Sequence, residues 1–351
     1  MTSRERFARM FAHQEADRVP IIDDPWPSTI ERWHKEGMPE GVDFRDYFDL
    51  DRVAGISVDN SPRYPGGIIE ETEEYVIHKD AWGVTMKNWR HSASVPQYLE
   101  FTIRDRDTWR AAKERMVPSD DRIPWDYLRR NYAEWRKQGA WIHGYAWFGF
   151  DATHAFVDMT DLLQALHEQP EWCKEMFDHA CDVSLALLNR VWQAGYTFDA
   201  LFWWDDMGYK HKPFFSLKTY RELLRPAHQR AIDWAHAHGI KAHLHSCGFV
   251  RSFVPDLVEM GLDALNPLEV KAGMDPIELK QTFGDRLVLH GGINAVLWDD
   301  RDAIEEEIRR VLPVMKEHGG YIFSSDHSVP SSVSLENFRH IVNLAKELGR
   351  Y

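Results

Sequence analysis

The sequence predicts an α/β protein, a (β/α)8 TIM-type barrel with an N-terminal extension and an inserted β-hairpin. Three observations predict it. Short β-type runs alternate with amphipathic helical stretches, the pattern of parallel strands joined by helical crossovers. Glycines follow the helical stretches at Gly195, Gly239, Gly261, Gly284 and Gly319, where left-handed C-terminal caps are needed. No Gly-x-Gly-x-x-Gly fingerprint follows the first strand, which disfavours an open dinucleotide-binding sheet.

The elements follow in order. A charged helix opens the chain, and residues 18–22 read as a first strand ending in Asp23 and Asp24. A helix is expected around 28–36 and a short strand at 55–59, closing on Asp59. Residues 66–90 then switch to period two, IIEETEEYVIHKDAWGVTMKNW, with a turn near 79–83, which predicts a β-hairpin inserted into the series. The polar stretch 105–137 returns to helix. Strands are expected at 140–147, 199–205, 240–246, 264–267, 287–291 and 320–325. Helices are expected between them at 171–194, 217–238, 250–260, 276–283 and 301–318. No linker, low-complexity tract or long like-charge run interrupts the pattern, so a single domain over 1–351 is the simplest organisation.

Composition narrows the function. The chain has 351 residues, of which 44% are hydrophobic and 28% charged, enough to bury a full core. A formal net charge of −14 argues against nucleic acid as a partner, because no basic cluster could displace phosphate counterions. The opening lacks the apolar core of a signal peptide, and no run of about eighteen apolar residues predicts a membrane span. Cys173, Cys181 and Cys247 are too few and too scattered for a disulfide framework, so a cytoplasmic setting is expected. The fifteen tryptophans can serve as core or line a pocket for a flat organic ligand.

Position carries the chemistry. In an α/β barrel the functional residues gather at the C-terminal ends of the strands. Here the late strands end in FWWDD (Asp205, Asp206), AHLHSCG (His245, Cys247), LNPLE (Asn266, Glu269), HGGIN (His290, Asn294) and FSSDH (Asp326, His327). His243, His245 and Cys247 alternate along one strand and therefore share a face. An imidazole and a thiolate two residues apart can share a metal ion, and zinc suits that mixed pair. The alternative is a small buried thiol beside core histidines. A third ligand is expected from another strand end, with His327 first and Asp326, Asp205 and Glu269 behind it. Only one of Asp205 and Asp206 can face the barrel mouth, since Asp205 shares a face with Trp203 and Asp206 with Trp204. A carboxylate there could orient substrate, act as an acid or base, hold a histidine, cap a helix or form a surface salt bridge. Gly291 and Gly292 would let a ligand approach the backbone closely.

Several segments together resemble the uroporphyrinogen decarboxylase superfamily, and within it the cobalamin-dependent methyltransferase branch. They are RERFARMFAHQEADRVPI, DAWGVTMKNW, PAHQRAIDWAHAHGIKAHLHSCG, LDALNPLEVKAGMDPIELKQTFGDRLVLHGGIN and GGYIFSSDHSVP. The decarboxylases hold porphyrin carboxylates with an N-terminal R-Q-A-G-R loop. The matching region here, IIDDPWPSTIERW, offers acids and tryptophan instead. The methyltransferase branch carries H-x-C and a later cysteine as zinc ligands. His245 and Cys247 match the first two, and Ser325 stands near the position of the third.

The resemblance implies transfer of a methyl group between a small donor or acceptor and a corrinoid (cobalamin) carried by a partner protein, with zinc assisting. O-demethylation of a methoxylated compound bound among tryptophans is its specific form. In that reading His245, Cys247 and His327 hold the metal, while Asp205 and Asn266 orient the substrate. The alternative is a corrinoid-independent decarboxylase or lyase acting on a small carboxylic acid, with Asp59, Asp205 and His245 in acid/base roles. A binding protein on the same scaffold is a third class. The oligomeric state, a homodimer included, leaves no signature in the sequence.

Overall fold

The structure, a computed structural model, describes residues 1–91 and 95–351. Eleven strands are present among these residues: β1 (Val53–Ser57), β2 (Gly67–Glu71), β3 (Tyr75–Lys79), β4 (Val84–Trp89), β5 (Gln97–Phe101), β6 (Trp141–Trp147), β7 (Ala200–Trp204), β8 (Lys241–His245), β9 (Ala264–Asn266), β10 (Val288–His290) and β11 (Tyr321–Ile322). Seven of them form one parallel sheet in the order β1-β6-β7-β8-β9-β10-β11. Each strand is hydrogen-bonded to the next in sequence order, as helical crossovers of one hand require. From β6 onward the strand bodies are rich in Ala, Leu, Ile, Val and aromatic residues and are mostly buried on both faces, the pattern of a parallel sheet covered by helices.

The expected first strand differs from the prediction. Residues 18–22 form no regular ladder, only isolated bridges such as Ile21 to Phe323. The segment still lies between the two edges of the sheet. Phe323 N donates to Pro20 O at 2.9 Å, Ile22 N to Phe323 O at 3.1 Å, and Asp51 N to Ile21 O at 2.9 Å. Pro20 lacks an N–H, which helps explain why no continuous ladder forms there.

The inserted hairpin is larger than expected. The expected 66–90 hairpin is the first part of a four-stranded antiparallel sheet, β2-β3-β4-β5, that continues to Phe101. Trp82 ties this sheet to the rest of the molecule, stacking on Phe156 with ring centroids 4.6 Å apart and meeting Trp147 edge-on at 5.0 Å.

The N-terminal helix (Ser3–Phe11) closes the bottom of the parallel sheet. A Thr2–Glu5 capping box starts it. Its Phe7 and Phe11 stack on Trp141 at 5.4 and 5.2 Å and pack with Ala200, Ala264, Val288 and Ile322, a layer drawn from five strands. Burying two phenylalanines contributes about 3–6 kcal/mol. It also leaves only the C-terminal ends of the strands open. Among the described residues, no helix is long and apolar enough to cross a membrane.

Candidate functional site

A cavity of about 450 Å³ opens at the C-terminal ends of the strands, within the size range of small-molecule sites. His143 and Tyr145 of β6, Phe202 and Trp204 of β7, and His245 of β8 face it. Asp206, Cys247, Asn266, His290 and His327 also line it, with Asp23, Asp24 and Arg45 on the N-terminal side. The alternation of β8 has the expected consequence. His243 is enclosed beneath the cavity, while His245 and Cys247 line it.

Three donor atoms converge there. One from each of Asp206, His245 and Cys247 lie within 4.8 Å of one another. His245 Nε2 is 3.2 Å from Cys247 Sγ and 3.6 Å from Asp206 Oδ1. Zinc bonded at about 2.0–2.3 Å to N, S and O donors holds them about 3.3–3.8 Å apart in a tetrahedron. The spacing fits such an ion.

Local structure explains why these groups meet. Trp204 pairs with His245 in the sheet, so Asp206 and Cys247 leave neighbouring strands at the same height. Asp205 N donates to His245 O at 2.8 Å, and Gly208 N to Cys247 O at 3.2 Å. Gly248 has φ +75°, and a Cβ there would lie 2.2 Å from the Gly208 carbonyl carbon. Only glycine lets the two loops close on each other in this way. Asp206 Oδ1 also accepts from Cys247 N at 2.7 Å, which fixes the carboxylate beside the sulfur.

Asn266 sets the imidazole. Its Nδ2 donates to His290 O at 3.4 Å, turning Oδ1 toward His245, where it lies 2.5 Å from Nδ1. Asn266 Oδ1 accepts, so Nδ1 carries the proton and the Nε2 lone pair faces Cys247 and Asp206. A zinc ion held by these donors would bind about 10–100-fold more weakly in an Asn266→Ala protein, in which the three donors stay in place. Competition with a chelator of known affinity measures it.

The electrostatics favour a cation. Burial pushes the Cys247 thiol well above its ordinary range, and the carboxylates of Asp206, Glu269 and Asp151 push it further. Burial likewise raises Asp206, against the opposing effect of the His245 imidazole. No Arg or Lys among the described residues pairs with either group, and a metal ion would hold both ionised.

The other sequence candidates fall elsewhere. Asp205 and Asp206 point to opposite sides of β7, and Asp206, not Asp205, lines the cavity. Asp205 is fully buried and accepts from Asp151 N at 2.8 Å and from His228 Nε2 at 2.7 Å. His228 Nδ1 in turn meets Tyr220 OH at 3.2 Å. Asp59 does not line the cavity. It is held by Ser61 and by Arg63 Nε at 2.5 Å. His327 lines the cavity but stands outside the three-residue donor group. Asp326 accepts from Val270 N and Ala295 N at 2.9 and 2.7 Å, and Glu269 from Gly248 N at 2.7 Å, so both serve the backbone. Gly291 and Gly292 approach Pro267 and Pro276 rather than open space. Cys173 and Cys181 are buried free thiols of the helix Pro170–Gln193, each pushed up to about 12 by burial.

Comparison with known proteins follows this geometry. The family model for uroporphyrinogen decarboxylase (URO-D) matches residues 148–348. The chain belongs to the uroporphyrinogen decarboxylase family. A uroporphyrinogen decarboxylase from Saccharopolyspora erythraea is 28% identical over 192 residues, 51% of this chain and 50% of that protein. One from Helicobacter pylori is 33% identical over 84 residues, 24% of this chain and 22% of that protein. The chain thus spans half or less of the length of these relatives. A solved methyltransferase from Methanosarcina mazei shares the fold, with a TM-score of 0.67 over 99% of both chains at 15% identity. The family match includes β7 to β11 and hence all three converging donors.

The sequence reading named Asp206 at its strand end but took Asp205 as the candidate, and it missed His143. Asp206 shares a face with Phe202 and Trp204, but β7 is apolar on both faces, so alternation gave no direction there. His143 lies in the middle of an apolar strand, and a histidine alone in such a run has no recognisable pattern.

Proposed function

We propose that the protein is a methyltransferase that moves a methyl group between a small molecule and a corrinoid carried by a partner protein, assisted by zinc at His245, Cys247 and Asp206. The observation that supports it most is the convergence of these three donors, with Asn266 behind the imidazole, at the mouth of a closed-bottomed cavity. The name of the fold neighbour is in keeping with this reading. In the same reading the parallel sheet and segment 20–22 make up a TIM-type barrel, whose C-terminal mouth is where such folds place their chemistry. A reducing cytoplasm keeps Cys247 free for the metal.

Zinc bound here would act as a Lewis acid toward the oxygen of a methyl ether or toward a bound thiol. Cys247 gives up its proton on binding the metal, so uptake becomes tighter as pH rises. Asn266 holds Nδ1–H of His245 so that the other nitrogen stays a ligand. Asp206 balances charge and fixes the Cys247 backbone. Tyr145, Phe202 and Trp204 form a continuous aromatic wall, with centroids 4.9–5.7 Å apart, along which a methoxylated aromatic ring can lie. His327 is proposed as a fourth ligand or as a contact to the substrate oxygen. Asp205 is proposed to position the strand end through its buried network.

Decarboxylation of a porphyrin is less well supported. Asp23 and Asp24 line the cavity where a polycarboxylate would have to bind, and Arg45 is the one Arg or Lys on the lining among the described residues, a poor match for several carboxylates. The test is transfer of methyl from 2-methoxyphenol to free cob(I)alamin, followed by absorbance. Zinc-replete protein is expected to turn over and zinc-free protein is not. Transfer that persists without zinc contradicts the metal role, and carbon dioxide release from a small acid by metal-free protein favours the decarboxylase alternative.

A further inference from the structure

His143 is 3% exposed and lines the deep part of the cavity. Neither of its ring nitrogens has a hydrogen-bond partner among the described residues, and Nε2 is fully enclosed. Burial pushes its pKa down to about 3, so the imidazole is neutral, with one donor and one acceptor nitrogen unused. Nε2 is shut off from the cavity, so Nδ1 is the nitrogen that a ligand entering the cavity can complete.

Its surroundings define that ligand. His143 stacks on Phe202 at 5.0 Å and meets Tyr145 at 5.7 Å, so it stands at the base of the aromatic wall. His290, the other imidazole facing this depth, contacts His243 Nε2 at 3.3 Å through Nδ1 and is also neutral, lowered to about 3 by burial. The lining is poor in cationic side chains. Asp23, Asp24 and Asp206 have no Arg or Lys partner among the described residues, and Arg45, the one basic chain on the lining, already pairs with Asp43 at 3.2 Å. A ligand carboxylate placed against His143 would meet two neutral imidazoles, His143 and His290, neither of which carries a charge to offset it. A neutral hydroxyl needs no such charge, and it can either accept from or donate to Nδ1 of a neutral imidazole.

We propose that His143 is a specificity-determining residue that takes the hydroxyl of an uncharged phenolic ligand whose ring lies against Tyr145, Phe202 and Trp204. The proposal rests on the methyl-transfer reading for the methyl group the ligand carries, but its test does not need turnover. Binding of 2-methoxyphenol, 1,2-dimethoxybenzene and 2-methoxybenzoate to the full chain is measured by calorimetry. The phenol is expected to bind about tenfold tighter than the diether, and the benzoate weakest. His143→Phe is expected to bring the phenol and diether within about twofold of each other while zinc content stays unchanged. The wild-type ratio alone decides the matter if that variant does not fold. Equal binding of the two ethers, tightest binding of the benzoate, no binding of any probe, or an unchanged ratio in a folded His143→Phe protein would overturn the proposal. The expected ratio without any methyl transfer would sink the methyltransferase reading and leave the subsite standing.

Discussion

Cys247→Ala protein is expected to keep less than about a tenth of the zinc held by the unmodified protein and to lose methyl transfer about a hundredfold or more. The sulfur is one of three converging donors, and the other two are spread over neighbouring strands. Removing it leaves an imidazole and a carboxylate, a pair that binds zinc weakly. The fold should not suffer. Cys247 is small, its backbone bonds to Asp206 and Gly208 remain, and its thiol meets only the cavity side chains His245 and Asp206. Metal content by elemental analysis, thermal unfolding without metal and the cob(I)alamin assay together separate a lost ligand from a lost fold. A Cys247→Ala protein that retains stoichiometric zinc would show that the sulfur is not a ligand.

Exchanging the two neighbouring aspartates should split stability from metal binding. Asp205→Ala is expected to destabilise the protein by about 3–5 kcal/mol, because it leaves His228 and Asp151 N buried without their partner. Both Asp205 and His228 have fully buried side chains, so water cannot replace the bond. Gly149 packs so closely that a Cβ there would lie 2.2 Å from Asp205 Oδ2, which shows how little room exists for repacking. Asp206→Ala is expected to do the opposite. Its side chain is 35% exposed and faces the cavity, so stability should change by less than about 1 kcal/mol, while zinc affinity falls about tenfold or more. Chemical unfolding of both variants without metal, followed by zinc titration, checks the pair. Loss of metal in a folded Asp205→Ala protein, with none in Asp206→Ala, would restore the older expectation that Asp205 faces the site.

That exchange also marks where sequence stops being informative. AHLHSCG alternates small or apolar residues with His, His and Cys, so its inward face could be read directly, and both members of the H-x-C pair line the cavity. FWWDD offers no such contrast, since Trp203 and Trp204 satisfy either face of a buried parallel strand. Asp206 joins the site because Trp204 pairs with His245 and because Gly208 and Gly248 let two loops touch. Such contacts are fixed by packing between distant segments and leave no local trace.

The order of the parallel strands from β6 onward was legible because each is followed by a helix with a glycine stop. The segment 18–22 was legible as β-type but not as a broken ladder. The antiparallel sheet was read only up to Trp89, since β5 lies beyond a short break in the alternating pattern and has little burial to impose a period. Asp59 carried a warning at close range. Arg63 stands four residues on, and the two side chains pair.

X-ray absorption at the zinc edge of the full chain tests the metal centre most directly. One sulfur near about 2.3 Å with nitrogen and oxygen neighbours near about 2.0 Å is the expected spectrum. Protein that takes up no zinc, or zinc with no sulfur neighbour, would contradict a centre built on His245, Cys247 and Asp206.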